Sequence, residues 1–172
     1  MKKLFAALLS LCLMLTACAA LADEPSTVNW SDFEAKAANV EGQFATVGDT
    51  GLKMFIPAQF KDTPITEETL KTGTFMVLRT EDGKAVVTAQ LVPKDVESFK
   101  AAMQQQGHSI WETIVNNIHF AQFSVEANGT TTVGFALPTE SGKTVVFGFA
   151  PANQEPYTDL FKMMVASLQV AN

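Results

Sequence analysis

Residues 74–92, with the sequence TFMVLRTEDGKAVVTAQLV, contain the pattern on which the fold prediction depends. Two apolar runs, 74–80 and 84–92, flank the pair Asp82-Gly83. This arrangement predicts a β-hairpin, because glycine accepts the positive φ that a tight turn requires. The first run is apolar at four consecutive positions, 75–78, and is therefore expected to be a strand that is covered on both faces.

Three more strands are predicted further along the chain, at 118–126, 130–137 and 143–149. Asn128-Gly129 and Ser141-Gly142 supply the turns between them. The second and third strands alternate apolar side chains with smaller or polar ones, which is typical of β-structure. The pattern indicates an antiparallel meander.

The C-terminal segment has the clearest helical pattern in the chain. Six large side chains recur at helical spacing: Tyr157, Leu160, Phe161, Met164, Val165 and Leu168. Because they fall on one side of a helix, the segment is predicted to lie across a sheet.

Further helices are predicted before and between the strands. Capping boxes at 31–34 and 109–112 start two of them, which end near 39–42 and 116 respectively. Residues 95–106 have apolar side chains at helical spacing and precede the stop signal Gly107. A strand at 52–56 and a short helix at 66–71 complete the predicted elements.

The order of these elements predicts an α+β fold with one domain over residues 30–172. Hairpins dominate, so the sheet is expected to be mainly antiparallel. Helices come before, between and after the strands, and both faces of the sheet can therefore be covered. We expect an α/β/α sandwich.

Residues 1–22 have the features of a signal peptide. Lys2 and Lys3 precede an apolar run at 4–15 that is too short to span a bilayer, and Ala20-Leu21-Ala22 offers a small-x-small cleavage site. We therefore expect export to the cell envelope or the extracellular space, with 23–29 as a polar spacer.

A second interpretation of the leader stays open. Leu15-Thr16-Ala17-Cys18 matches a bacterial lipobox, in which Cys18 is diacylated and becomes the mature N-terminus. Lipidation would anchor the protein durably at a membrane, whereas cleavage after Ala22 would let the domain diffuse away. A membrane partner is expected only through Cys18.

The charge and the cysteine positions exclude several function classes. Removal of Lys2 and Lys3 with the leader would leave 10 basic against 18 acidic residues, a net side-chain charge of −8. Such a surface repels phosphate backbones, so no nucleic-acid partner is expected. Both cysteines, Cys12 and Cys18, lie in the leader. Thiol catalysis and thiolate metal sites are therefore excluded from the folded domain.

The rest of the chain contains no recognisable catalytic or metal-binding motif. His108 and His119 are the only imidazoles, and neither belongs to a zinc-binding motif such as HxH or HExxH. A Gly-x-Ser-x-Gly elbow and a phosphate-binding glycine loop are also missing from the sequence. We therefore expect no catalytic residue, no metal site, no cofactor and no enzymatic activity.

Phenylalanine is abundant, with 13 residues against one tyrosine and two tryptophans. A phenylalanine-lined core explains this composition. A more specific interpretation is an apolar pocket beside residues 95–116, with Trp111 and Phe99 as candidate lining residues. We expect an exported, non-catalytic binding or accessory protein, secreted or lipid-anchored, whose partner is an envelope protein or a small ligand. A carrier of a small apolar ligand is the alternative.

Three segments resemble the PsbP-like superfamily. Residues 51–57 (GLKMFIP) are similar to its opening strand, 157–168 (YTDLFKMMVASL) to its closing helix, and 142–147 (GKTVVF) also matches. That superfamily includes a plant photosystem subunit, a eukaryotic Ran-binding import factor and bacterial domains of unknown function. The resemblance implies an α/β/α fold over 51–168, and it carries no catalytic signature.

Overall fold

The computed structural model describes residues 25–171. The signal peptide predicted at 1–22 and the lipidation predicted at Cys18 lie outside the described residues. Eleven strands are described there: β1 Ser26–Val28, β2 Gly42–Thr46, β3 Leu52–Pro57, β4 Phe60–Asp62, β5 Thr74–Thr80, β6 Val86–Val92, β7 Ile110–Val115, β8 Ile118–Ala127, β9 Thr130–Pro138, β10 Thr144–Ala150 and β11 Gln169–Val170. The helices are α1 Glu34–Ala37, α2 Glu67–Lys71, α3 Val96–Gln105 and α4 Tyr157–Ala166, with a 3-10 turn at Trp30–Asp32.

Eight strands form a large sheet in the order β1-β7-β8-β9-β10-β6-β5-β4. The described ladders within it are antiparallel except for the parallel pair β1 and β7. A smaller sheet has the order β11-β3-β2. The protein is therefore a mixed α/β fold on a large, mostly antiparallel sheet, as predicted. The 74–92 hairpin, the meander and helix α4 are confirmed, and Gly83 in the hairpin turn has a φ of 69°.

One face of the large sheet packs against α4 and the small sheet. Phe120 and Phe147 of the large sheet share this core with Met54 of β3 and Met164 of α4. Ser167, at the end of α4, ties the two elements together, because its hydroxyl donates to the Met164 carbonyl and accepts from the main-chain N–H of Phe55. A buried hydroxyl with both partners satisfied costs little free energy.

The opposite face of the sheet packs against α3. Phe99 and Met103 contact a buried cluster of Ala121, Phe123 and Ala136. The ring centroids of Phe99 and Phe123 lie 5.6 Å apart. The small alanine side chains leave room for the rings, and one helix therefore contacts each face of the sheet.

Strand β5 carries the two-sided burial expected from the 75–78 run. Val77 and Leu78 point to opposite faces because side chains alternate along a strand, and both are buried. Phe75 and Met76 are half-buried.

The helix predicted at 109–116 is wrong, because residues 110–115 form β7 and pair with β8. Val115 pairs with Ile118, which leaves Asn116 and Asn117 as a two-residue turn with φ values of 47° and 66°. Asparagine tolerates the left-handed conformation and is a preferred residue of this hairpin turn. Strand pairing with β8 in the hairpin, and with β1 on the other side, therefore overrides the capping box at Ser109.

The chain before β2 also differs from its prediction. The helix expected from 31–34 is a 3-10 turn followed by the four-residue α1, and neither N-terminus has a side-chain cap. The N–H of Trp30 donates instead to Oδ1 of Asn116, at 2.8 Å. Within the predicted spacer, residues 26–28 form β1 and pair with β7. Pairing with an exposed sheet edge gives this polar segment the strand conformation.

Candidate functional site

A partly enclosed cavity of about 120 Å³ lies where β1, α4 and the large sheet meet. Four phenylalanines contribute to its walls: Phe135 and Phe149 from the sheet, Phe161 from α4, and Phe33 from the segment between the 3-10 turn and α1. Phe149 packs on both neighbouring rings, with centroids 6.0 Å from Phe135 and 5.6 Å from Phe161. These walls favour an apolar occupant.

A short polar chain crosses one side of the cavity. Thr113 is buried, and its hydroxyl donates to Oε1 of Gln122 at 2.8 Å. Because the Thr113 proton is used in that bond, the Ser26 hydroxyl at 3.0 Å must be the donor to Thr113. The chain fixes the short edge strand β1 to the sheet and supplies polar atoms among the apolar walls.

Lys162 of α4 is the one cationic side chain among the residues that line this cavity. Its side chain is 16% exposed, and Nζ lies 3.6 Å from Oδ1 of Asp159, one turn earlier on the helix. The Asp159 side chain is 63% exposed. An apolar cavity with one cationic side chain in its lining is suited to amphipathic small molecules.

The two predicted pocket residues lie elsewhere. Phe99 is on α3, against the opposite face of the sheet, and it does not line this cavity. Trp111 pairs with Gln122 across β7 and β8, so the two side chains share a face, but Trp111 is not a lining residue. On that face Phe99 packs against Phe123, with ring centroids 5.6 Å apart.

The histidines are separated in the structure. His119, on β8, lies 3.2 Å from one carboxylate, Glu112 on β7, and both side chains are exposed. His108 follows α3 and is half-buried. Within residues 25–171, no cluster of three or more histidine, cysteine, aspartate or glutamate side chains has an arrangement that would bind a metal ion.

Sequence reasoning missed Ser26, Gln122 and Lys162. One signal was available for Gln122, which is a polar residue at an inward-facing position of the apolar strand segment 120–123. A buried amide needs hydrogen-bond partners, and such positions are informative when they occur in a core strand. Ser26 and Lys162 have no comparable signal, because each is ordinary for its local sequence.

A second depression, of about 790 Å³, lies at another end of the sheet. Its lining mixes apolar side chains such as Phe75 and Leu70 with the carboxylates Asp49 and Glu140. Leu70 is 54% exposed. The mixed lining makes this depression a weaker candidate for small-molecule binding than the phenylalanine-walled cavity.

Helix α4, which forms one wall of the cavity, is fixed at its start by the β5–β6 turn. The Tyr157 hydroxyl donates to Oδ2 of Asp82 at 3.0 Å, while Oδ1 of Asp82 accepts from the Thr80 hydroxyl and from the main-chain N–H of Lys84. These bonds, led by the one from Thr80, lower the pKa of Asp82 from 3.8 to about 2. Partial burial and the bond to Asp82 raise the pKa of Tyr157.

The pKa of Asp82 predicts a pH-dependent contribution to stability. Because the folded state lowers this pKa, the contribution is present at neutral pH and is lost as the pH falls below about 4. Urea unfolding of the protein and of Asp82→Asn should therefore show a difference in stability that shrinks between about pH 5 and pH 2. Tyr157→Phe should shift the same profile less, since the Thr80 and Lys84 bonds remain. Parallel profiles for the protein and Asp82→Asn would contradict the prediction.

The described residues form a mixed α/β protein on a large, mostly antiparallel sheet. No family model matches the sequence, and no curated protein matches it. Among solved structures, a protein from Bacteroides thetaiotaomicron is similar, with a TM-score of 0.50 over 77% of this chain and 11% identity. This chain spans 49% of that protein. At such low identity the similarity shows the fold alone.

Among the described residues, no helix combines the length and the apolar character needed to cross a membrane.

Proposed function

We propose that this chain is an exported, non-catalytic binding domain whose cavity takes a small apolar ligand. The phenylalanine-walled cavity between β1 and α4 is the observation that supports this proposal. It favours the small-ligand alternative over an accessory role that needs only a protein surface. The leader at 1–22 is the basis for export, and the separated histidines offer no nucleophile or base to a bound molecule.

The size of the cavity limits the ligand. Its volume, about 120 Å³, compares with the roughly 150 Å³ cavities that bind benzene in proteins. One aromatic ring or a chain of about six carbons would fill it. Burial stabilises such a ligand by about 0.8 kcal/mol per methylene, and association entropy offsets part of the gain. An affinity in about the millimolar to high-micromolar range follows for a neutral ligand.

We also propose that the fold is PsbP-like. The three segments that resemble this superfamily fall on β3, β10 and α4, and Met54, Phe147 and Met164 from these elements share one core. The proposal concerns fold only, because members of one fold differ in function.

The mode of anchoring is decided by one measurement, the intact mass of the mature protein from the producing cell. Cleavage after Ala22 gives an unmodified chain that starts at Asp23. A lipobox gives a chain that starts at a diacylated Cys18. Phase partitioning in detergent gives an independent answer, since the lipidated chain enters the detergent phase.

Ligand binding is tested by heteronuclear NMR titration of the exported domain with toluene and with hexan-1-ol. The expected shifts are at main-chain amides around Phe135, Phe149 and Phe161. Ala152→Leu adds bulk at a residue that lines the cavity and should weaken binding at least about tenfold. Ala101→Leu, at an exposed position of α3, is the matched control and should bind as the unmodified protein does. Absence of saturable shifts at these amides would overturn the proposal.

A further inference from the structure

We infer that the preferred occupant of the cavity is a small monocarboxylate with an apolar body, whose carboxylate lies at Lys162. This inference rests on the proposed function and adds the charge of the ligand. A benzoate-like ring acid or a short alkyl acid of about six carbons has the required size.

The surroundings of Lys162 supply the first argument. Its side chain is 16% exposed, whereas that of Lys84, in the β5–β6 turn, is 71% exposed. The low exposure shows that the Lys162 stem is largely packed against the protein. Within the described residues Nζ has one ionic partner, the exposed Asp159, at 3.6 Å. That distance exceeds the range of a normal charge-assisted hydrogen bond, about 2.7–2.9 Å.

The hydrogen-bond inventory of the cavity supplies the second argument. Ser26, Thr113 and Gln122 bond to one another, and the Thr158 hydroxyl donates to main-chain carbonyls. An ammonium group has three donors, and Lys162 makes no hydrogen bond to another described residue. Gln122 Nε2 and the Thr27 hydroxyl are neutral donors of the same lining, and Lys162 is its one cationic donor for a ligand carboxylate.

Charge balance points in the same direction. The ion pair with Asp159 is solvent-exposed on the aspartate side and contributes little. A ligand carboxylate inside the cavity would approach Nζ in a less polar environment, where the same charges attract more strongly. The acidic protein as a whole repels anions, so selectivity for a carboxylate has to come from this local cation.

The experiment compares acids with neutral analogues of the same shape. Isothermal titration calorimetry measures hexanoate against hexan-1-ol, and benzoate against benzyl alcohol, at neutral pH. In the unmodified protein each acid should bind at least about tenfold more tightly than its alcohol, as expected for a charge-assisted bond. Raising the salt concentration should reduce this ratio.

Two variants test whether the preference for acids over alcohols depends on Lys162. Lys162→Met keeps an apolar stem along the cavity wall and removes the charge. The acid should then bind no more tightly than the alcohol, because an unpaired carboxylate is costly to bury. Lys100→Met is the matched control, because Lys100 forms an i,i+3 pair with Glu97 at 3.0 Å on α3, away from the cavity. It should retain the full preference for acids. Circular dichroism and thermal unfolding of each variant verify that it folds.

Three outcomes would overturn the inference, and they separate it from the proposed function. Equal binding of acid and alcohol by the unmodified protein would refute the charge preference and leave the apolar site intact. A preference that survives Lys162→Met would place the carboxylate elsewhere. Failure of both ligands to bind would remove the proposed function together with the inference.

Discussion

Asn116→Ala is expected to lower the free energy of unfolding by about 4 kcal/mol. The side chain of Asn116 makes three hydrogen bonds: Nδ2 donates to the carbonyls of Ala166 and Leu168, and Oδ1 accepts from the N–H of Trp30. Each such bond contributes about 1 kcal/mol, and more where its partner is left unsatisfied in a partly buried place. Its φ of 47° adds about 1 kcal/mol of strain for alanine.

These bonds connect three segments that are distant in the sequence. The β7–β8 turn contacts the end of α4 and the entrance to the 3-10 turn through this one side chain. The carbonyls at a helix C-terminus have no partner within the helix, so an external amide satisfies them. Loss of Asn116 should therefore loosen α4, which forms a wall of the cavity, and weaken ligand binding as well as stability.

Two comparisons separate the hydrogen bonds from the turn geometry. Asn116→Gly keeps the left-handed conformation accessible and removes only the side-chain bonds. Asn117→Ala, at a φ of 66° and an exposed position, tests the turn geometry without those bonds and should cost about 1 kcal/mol. Urea unfolding measures all three. If Asn117→Ala costs as much as Asn116→Ala, the bonding argument fails.

The elements that the sequence predicts well are those whose local signals agree with the tertiary contacts. In residues 74–92, the apolar runs and the Asp-Gly pair both indicate a hairpin, and the structure has one. The apolar side of α4 faces the core, as predicted: Phe161, Met164 and Val165 are buried, and so is Leu168 just after the helix. The structure of such segments can be predicted from the sequence because their local and long-range preferences agree.

Strand β7 shows the opposite case. Ser109 and Glu112 have the spacing of a capping box, which is a local signal for a helix. The same residues precede Asn116-Asn117, and pairing of 110–115 with β8 gains backbone hydrogen bonds that a short helix cannot match. A dipeptide that favours φ > 0 between two apolar runs was the more informative signal.

The cavity was predictable only as a class of site. The excess of phenylalanine indicated aromatic walls, and Phe33, Phe135, Phe149 and Phe161 provide them. Their positions extend over almost 130 residues of chain, and only the topology of the sheet brings them together. Phe99 lies on an amphipathic helix, and helical spacing cannot show whether the surface that it faces is a packed cluster or a cavity.

Phe149→Ala is expected to lower the free energy of unfolding by about 4 kcal/mol. The side chain is 1% exposed and packs between Phe135 and Phe161. Truncation of a buried phenylalanine costs about 3–5 kcal/mol, because the transfer free energy is lost and a void remains. At this position the void joins the existing cavity. The variant should therefore bind a larger ring ligand than the unmodified protein does.

Phe147→Ala is the matched control, since Phe147 lies two residues earlier on the same strand, faces the same core and is fully buried, but does not line the cavity. Both variants should lose similar stability in urea. Naphthalene-sized ligands should restore part of it to Phe149→Ala alone, because a ligand that binds only the folded state stabilises it by RT ln(1 + [L]/Kd). If the ligand restores the same stability to both variants, either void admits a ring. The cavity beneath β1 would then not be a specific binding site.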